Sequence, residues 1–252
     1  MPRRSAIGHN GDELLSPAAA RLRLLKSLKC TTLYEKRCWA DGARYVAGVD
    51  EVGRGCLFGP VVAAACILDP DYRIRGLRDS KLLTPEEREH LDIRIRERAL
   101  AFAIAAVDVA HIDRINIKQA SRLAMAQAVA ALAVRPDHLL VDAEQLDLDC
   151  PQTALIHGDA LSVSIAAASI LAKVERDYIL RQWHCMYPQY DLASNKGYGT
   201  PRHLAALREH GPTPQHRRSF APVWMAAEQQ LLAFMEMDDA AELAGCVEDS
   251  LE

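Results

Sequence analysis

Asp50 and Glu51 close an apolar run, Tyr45-Val46-Ala47-Gly48-Val49, and Gly53-Arg54-Gly55 follows almost at once. Two adjacent carboxylates can hold a cation. Glycines let backbone amides come close to a ligand, and an arginine adds a fixed positive charge. That combination suits metal-assisted chemistry on a phosphate ester. Two further apolar runs lead into acids: His138–Asp142, and Thr153–His157 with Gly158-Asp159 directly after it. One acid at a strand end is ordinarily a turn residue. Three such ends carry more, because parallel neighbouring strands would gather Asp50, Glu51, Asp142 and Asp159 at one edge. Carboxylates packed together repel until one is driven neutral, and a divalent cation removes the conflict. Oxygen-only ligands favour Mg²⁺ or Mn²⁺ over zinc. Two such ions about 3.5–4 Å apart can activate a water and stabilise a leaving oxygen. Side chains alternate along a strand. Asp50 and Glu51 therefore face one ion together only if the strand bends or ends there; otherwise Glu51 acts through its carbonyl or a bound water.

The elements that must position these acids follow from periodicity and punctuation. Tyr45–Asp50, Val61–Leu68, Ala101–Val109, His138–Asp142 and Thr153–His157 read as five strands. Thr84, Pro85 and Glu87 mark a capped helix start, with Leu91, Ile95 and Ala99 on one face. A second helix covers Asn116 to Ala133 and stops before Pro136. A third runs from Val163 to Trp183 with Ser162 as its cap, and its Ala166–Ala168 patch allows close packing. A fourth lies between Thr200-Pro201 and Gly211. The first two strands, joined by a short loop, pair antiparallel. The fourth and fifth, reached by crossovers or short links, run parallel to the first. The expected fold is α/β, a mixed sheet flanked by helices.

The chain has 252 residues, half of them apolar and a quarter charged, as in ordinary globular proteins. Residues 1–41 read as an N-terminal extension, mobile in part, 42–222 as the catalytic domain and 223–252 as an acidic helical tail. From Ala221 onward there are eight acids and no lysine or arginine. The net charge of −4 therefore hides a mildly basic body, compatible with a phosphate-rich ligand. No apolar run is long enough to span a membrane and no secretory signal is visible, so the expected location is the cytoplasm. Seven cysteines without a Cys-x-x-Cys indicate neither a disulfide framework nor a zinc site.

Three other segments are less specific. Asp79-Ser80-Lys81 reads by composition as a polar loop. Tyr198, between Gly197 and Gly199, is either an exposed ring able to stack on a sugar or base or a buried anchor. His216-Arg217-Arg218-Ser219 is either a solvated basic face or a phosphate contact.

These pieces together resemble ribonuclease HII, the bacterial type 2 ribonuclease H. The likeness runs from about Tyr45 to Val223. It is carried by Gly48-Val49-Asp50-Glu51-Val52-Gly53-Arg54-Gly55, Asp79-Ser80-Lys81, Leu140-Val141-Asp142, Gly158-Asp159-Ala160, Lys196-Gly197-Tyr198 and His216-Arg217-Arg218-Ser219-Phe220. The resemblance implies a ribonuclease H-like fold with a five-stranded mixed sheet. It implies endonucleolytic cleavage of RNA in RNA–DNA hybrids and at single ribonucleotides in duplex DNA, leaving 5′-phosphate and 3′-hydroxyl ends. It places the catalytic, metal-binding acids on Asp50, Glu51, Asp142 and Asp159. It assigns ribonucleotide binding to Gly53, Arg54 and Gly55, and stacking on the adjoining sugar to Tyr198. No obligate protein partner is called for. Cys56, Phe58, Ala143, His157, Ser194 and Asn195 depart from the family's usual residues, and none removes an acid. A different nuclease or strand-transfer enzyme of this fold class, or a binding module whose acids merely cap turns, are the rival readings.

Overall fold

The computed structural model describes residues 23, 27–229 and 231. Helix α1 (Leu33–Ala40) precedes strands β1 (Val46–Val52) and β2 (Val61–Leu68). Helix α2 (Pro85–Arg98), strand β3 (Ala99–Val107) and helix α3 (Val109–Ala130) follow. Then come β4 (His138–Asp142), β5 (Gln152–Leu155), α4 (Val163–Met186) and α5 (Pro201–His210). The sheet order is β3-β2-β1-β4-β5. The β1–β2 and β2–β3 pairs are antiparallel, and β1–β4 and β4–β5 are parallel.

Both faces of β1 are covered, which explains its unbroken apolar run. Ala47 and Val49 pack with Ala120, Ala124 and Met125 of α3. On the other face the neighbouring β2 residues Val62, Ala64 and Cys66 pack with Ala166–Ala168 of α4 and with Leu91 and Ile95 of α2. Contact with α4 is closest at Gly48, where a Cβ would lie 2.0 Å from the Ser164 carbonyl carbon. The alanine patch and this glycine are two halves of one close approach.

Several boundaries differ from expectation for local reasons. β1 does not stop at Asp50 but stays paired with β2 as far as Val52. β3 ends at Val107 because Asp108 caps α3, accepting from the His111 amide at 2.8 Å. α2 ends at Arg98, so Ala99 starts β3 instead of completing a helical face. α3 begins at Val109 and breaks at Asn116 (φ 66°), whose side chain caps its second half through the Gln119 amide. β5 ends at Leu155, and His157, at φ 59°, turns the chain into Gly158. Of the acidic tail, residues 221–229 are helical; most of the remainder lies outside the described residues.

The segment before Asp41 docks on the domain where it is described. Thr31 bridges to Ser162. The buried Glu35 carboxylate accepts from the Ser162 hydroxyl and, at 2.9 Å, from the Ser164 amide at the α4 N-terminus. An acid there satisfies orphan amides and complements the helix dipole. Among the described residues no helix is long and apolar enough to cross a membrane.

Candidate active site

The site sits where the sheet opens. The parallel β1–β4 ladder ends at Val49–Val141, while β1 runs on against β2 through Asp50 and Glu51. Beyond that point β1 has no neighbour on its β4 side, and the gap receives the acids. Asp50, in register with Ala64, lies on the α4 face, and Glu51 lies on the other. Asp142 ends β4. Asp159 sits in the 3-10 turn Gly158–Ala160 and is buried. Gly158 donates its amide to Asp142 Oδ1 at 2.7 Å, tying the two acid-bearing segments together. A Cβ at Gly158 would meet Ile165 at 2.6 Å, so the turn needs glycine.

The electrostatics record how close the acids are. Burial, then the charges of Glu51, Asp142 and Asp159, hold Asp50 well above the ordinary carboxylate range. Burial also raises Glu51, opposed by Arg54 and reinforced by Asp142 and Glu144. Asp142 is raised by burial and by Asp159, against the Gly158 amide and Lys81. From behind, burial and then Glu35, Asp159 and Asp79 push the Cys30 thiol up to about 12.

Lys81 answers part of this charge. Its Nζ lies 2.9 Å from Asp159 Oδ2 and 3.7 Å from Asp79 Oδ1. Burial works against the ammonium, but Asp159, Asp79 and Asp50 outweigh it and raise its pKa. The Asp79-Ser80-Lys81 segment is thus not a plain polar loop: Asp79 and Ser80 are buried, and Ser80 shares a hydrogen bond with Ser169. The expectation from composition failed because the segment packs on α4 beside the acids.

Arg54 is half exposed. Its Nη1 stands 3.3 Å from Glu144 Oε1 and 3.6 Å from Glu51 Oε1. Glu144 gave no signal in the sequence; the left-handed Ala143 (φ 50°) lies between it and Asp142. Gly53 has φ 98°, and a Cβ there would lie 2.2 Å from Arg176 Nε. Arg176 donates to the carbonyls of Pro60, Lys196 and Phe58 at 3.1, 2.8 and 3.0 Å. Arg217 donates to those of Gly59 and Arg54, both at 3.0 Å. Both arginines are fully buried, with no carboxylate in ion-pair range among the described residues. Carbonyl dipoles stand in for the anion a buried cation requires. Burial and then Arg176 pull Arg217 down to about 10. The His216-Arg217 pair is therefore neither a solvated face nor an exposed phosphate contact, but a buried strut beneath the Gly53–Gly55 loop.

Tyr198 is 47% exposed, and a Cβ on Gly55 would lie 3.8 Å from its ring. Leu57 donates to the Gly197 carbonyl at 2.8 Å, so the two glycine loops are bonded edge to edge. The structure thus brings Asp50, Glu51, Asp142 and Asp159 to one opening and sets Gly53, Arg54, Gly55 and Tyr198 along its rim.

The donor set fits a hard divalent cation. The donors are all carboxylate oxygens, and Glu51 Oε2 is buried without a hydrogen-bond partner. As they stand, no three acidic, histidine or cysteine side chains among the described residues enclose a space for an ion. The Gly158 amide takes one oxygen of Asp142 and Lys81 one oxygen of Asp159, so each of these contacts leaves the second oxygen of its carboxylate for an ion.

The family model for Ribonuclease HII matches residues 47–223. The chain is 63% identical over 243 residues to the Ribonuclease HII of Koribacter versatilis (strain Ellin345), covering 96% of this chain and 95% of that protein. It is 58% identical over 195 residues to the Ribonuclease HII of Solibacter usitatus (strain Ellin6076), covering 77% and 86%. Among solved structures, the ribonuclease H2 of Pyrococcus horikoshii OT3 superposes with a TM-score of 0.65 at 26% identity, covering 74% of this chain and 98% of that one.

Proposed function

The chain belongs to the ribonuclease HII family, and is thus a ribonuclease H, a hydrolase acting on RNA–DNA hybrids; on that premise we propose that it also cuts at single ribonucleotides in duplex DNA, using Asp50, Glu51, Asp142 and Asp159 as metal-binding acids. The observation that carries the proposal is the open fork between β1 and β4, with mutually repelling carboxylates inside it and the Gly53–Gly55 loop and Tyr198 beside it. Asp50 and Asp142 would hold Mg²⁺ or Mn²⁺; Glu51, on the opposite face of a strand that runs on to Val52, would contribute through its carbonyl or a bound water, and Asp159 would complete a second site or orient its water. Bound there, such ions supply a nucleophilic water at neutral pH and charge stabilisation for the leaving oxygen.

The chain's own residues supply position and selectivity. Arg176 and Arg217 occupy the carbonyls of the Gly53–Pro60 loop, which supports a loop shape that presents Arg54 and amide donors to a phosphate and a ribose. A 2′-hydroxyl is the group that separates RNA from DNA at such a rim. Tyr198, exposed above Gly55, stacks on the sugar next to the ribonucleotide. Water adds to phosphorus and the bond to the 3′-oxygen breaks, which leaves a 5′-phosphate and a 3′-hydroxyl. Incubating a duplex carrying one ribonucleotide, and its all-DNA counterpart, with Mg²⁺, Mn²⁺ or chelator tests this. Metal-dependent cutting of the first alone is expected. Equal cutting of both, or cutting in chelator, would overturn it.

A further inference from the structure

Two histidines behind the rim form a hydrogen-bonded chain that ends on Tyr198. His203, in the first turn of α5, and His216 are both fully buried. His203 Nδ1 lies 2.9 Å from the Tyr198 carbonyl oxygen. The two Nε2 atoms lie 3.0 Å apart. His216 Nδ1 lies 3.0 Å from the Thr213 amide nitrogen and 3.0 Å from its hydroxyl.

The partners fix every proton. A backbone amide only donates, so His216 Nδ1 accepts. A carbonyl only accepts, so His203 Nδ1 carries a proton. Two neutral rings then leave one proton for the gap between the Nε2 atoms, carried by His216 and received by His203. A further proton would set two N–H groups head to head. The surroundings favour the neutral pair. Burial and then His203 lower His216 to about 3, and burial lowers His203 against the Tyr198 carbonyl. The Tyr190 ring packs against both, with His210 beyond it and Arg217 next in the chain. Among the described residues no carboxylate pairs with either ring.

The far end of this chain is tied to the other glycine loop. His216 bridges Phe58, its ring 4.8 Å from the Phe58 ring. Gly59 donates to Gln215 at 2.8 Å, and Arg217 to Leu57 at 2.9 Å. The relay therefore spans from the segment just after Gly53–Gly55 to the backbone of Tyr198.

We propose that His203 and His216 are positioning residues that set the Tyr198 ring over Gly55 through a neutral, single-proton relay, and so govern discrimination for the ribose. The proposal rests on Tyr198 being a substrate contact.

The test is steady-state cleavage of a duplex with one ribonucleotide, with thermal melts as a folding check. His203→Leu should raise KM about tenfold, the effect of one lost buried hydrogen bond, and leave kcat within about twofold. His203→Asn, whose amide nitrogen can stand in the place of Nδ1, should recover most of the loss. Adding His203→Leu to Tyr198→Ala should cost nothing beyond Tyr198→Ala. A normal KM in His203→Leu, a failure of the Asn rescue, or multiplying effects in the double variant would overturn the relay. A normal KM in Tyr198→Ala would instead overturn the substrate reading beneath it. Should His203→Leu not fold, nitrogen-15 spectra of the wild-type protein decide: His203 protonated on Nδ1 and His216 on Nε2 is expected, and any other tautomer pair, or a charged ring at pH 7, refutes it.

Discussion

Replacing Gly53 and Gly55 by alanine, one at a time, separates two uses of the same residue type. Gly53 has a left-handed backbone, and its added Cβ would lie 2.2 Å from Arg176 Nε and 2.8 Å from Cδ. Ordinary contact is more than an ångström longer, so Arg176 must move. A non-glycine residue in that backbone region costs about 1–2 kcal/mol. A carbonyl bond to a charged donor contributes about 1.5–3 kcal/mol, and Arg176 makes three. Losing even one brings the total for Gly53→Ala to about 2.5–5 kcal/mol. For a domain of this size that lowers Tm by roughly 10 °C. At Gly55 the nearest atom to the new Cβ is a Tyr198 ring carbon at 3.8 Å, with no backbone strain. Gly55→Ala should keep stability within about 0.5 kcal/mol and act only on KM for a ribonucleotide-containing duplex. Urea unfolding and steady-state cleavage of both variants decide the matter. Equal destabilisation, or a Gly53→Ala change under about 1 kcal/mol, would refute the reasoning that places Arg176 under the loop.

Asp50 is held above its ordinary pKa, so the folded protein keeps a proton there that the unfolded chain has lost, and stability falls as pH rises between the two values. Asp50→Asn should therefore be more stable than wild type in chelator at pH 8, by roughly 1–2 kcal/mol. That advantage should shrink as pH drops and be narrowed by Mg²⁺, which stabilises wild type more by mass action; thermal melts across pH check both trends. The raised Asp50, Glu51 and Asp142 also predict that the Mg²⁺ concentration for half-maximal cleavage increases as pH falls, which a metal titration at two pH values measures. Ala143→Gly relieves a left-handed alanine and should gain about 0.5–1 kcal/mol in urea unfolding. Glu35→Ala leaves the α4 N-terminus without its acceptor and should cost about 2 kcal/mol, read from the same melts.

The strands and acids were legible because their signals are local. A central strand covered on both faces must be apolar throughout, and acids interrupt that pattern at its end. Thr84, Pro85 and Glu87 named their helix start through a capping box that forms as written. The parts that were not legible depend on long-range packing. Lys81 reaches Asp159 from 78 residues away, and Arg54 reaches Glu144 from 90. Arg217 looked like surface charge because nothing in its neighbourhood announces that Gly59 and Arg54 turn their carbonyls inward to meet it. Glu35 fell in a stretch read as an extension, since one buried acid in a polar helix leaves no periodic trace. A fork between two strands cannot be seen in either strand alone. It needs the register that ends the β1–β4 ladder at Val49 while β1 continues to Val52.

The central claim is that the acids in this fork carry metal-dependent cleavage. The most direct measurement compares wild type with Asp50→Asn on a duplex bearing one ribonucleotide, across a Mg²⁺ titration, with melting curves confirming that the variant is folded. A folded variant with no metal-dependent cleavage is expected. Cleavage by the variant at the wild-type rate would contradict it.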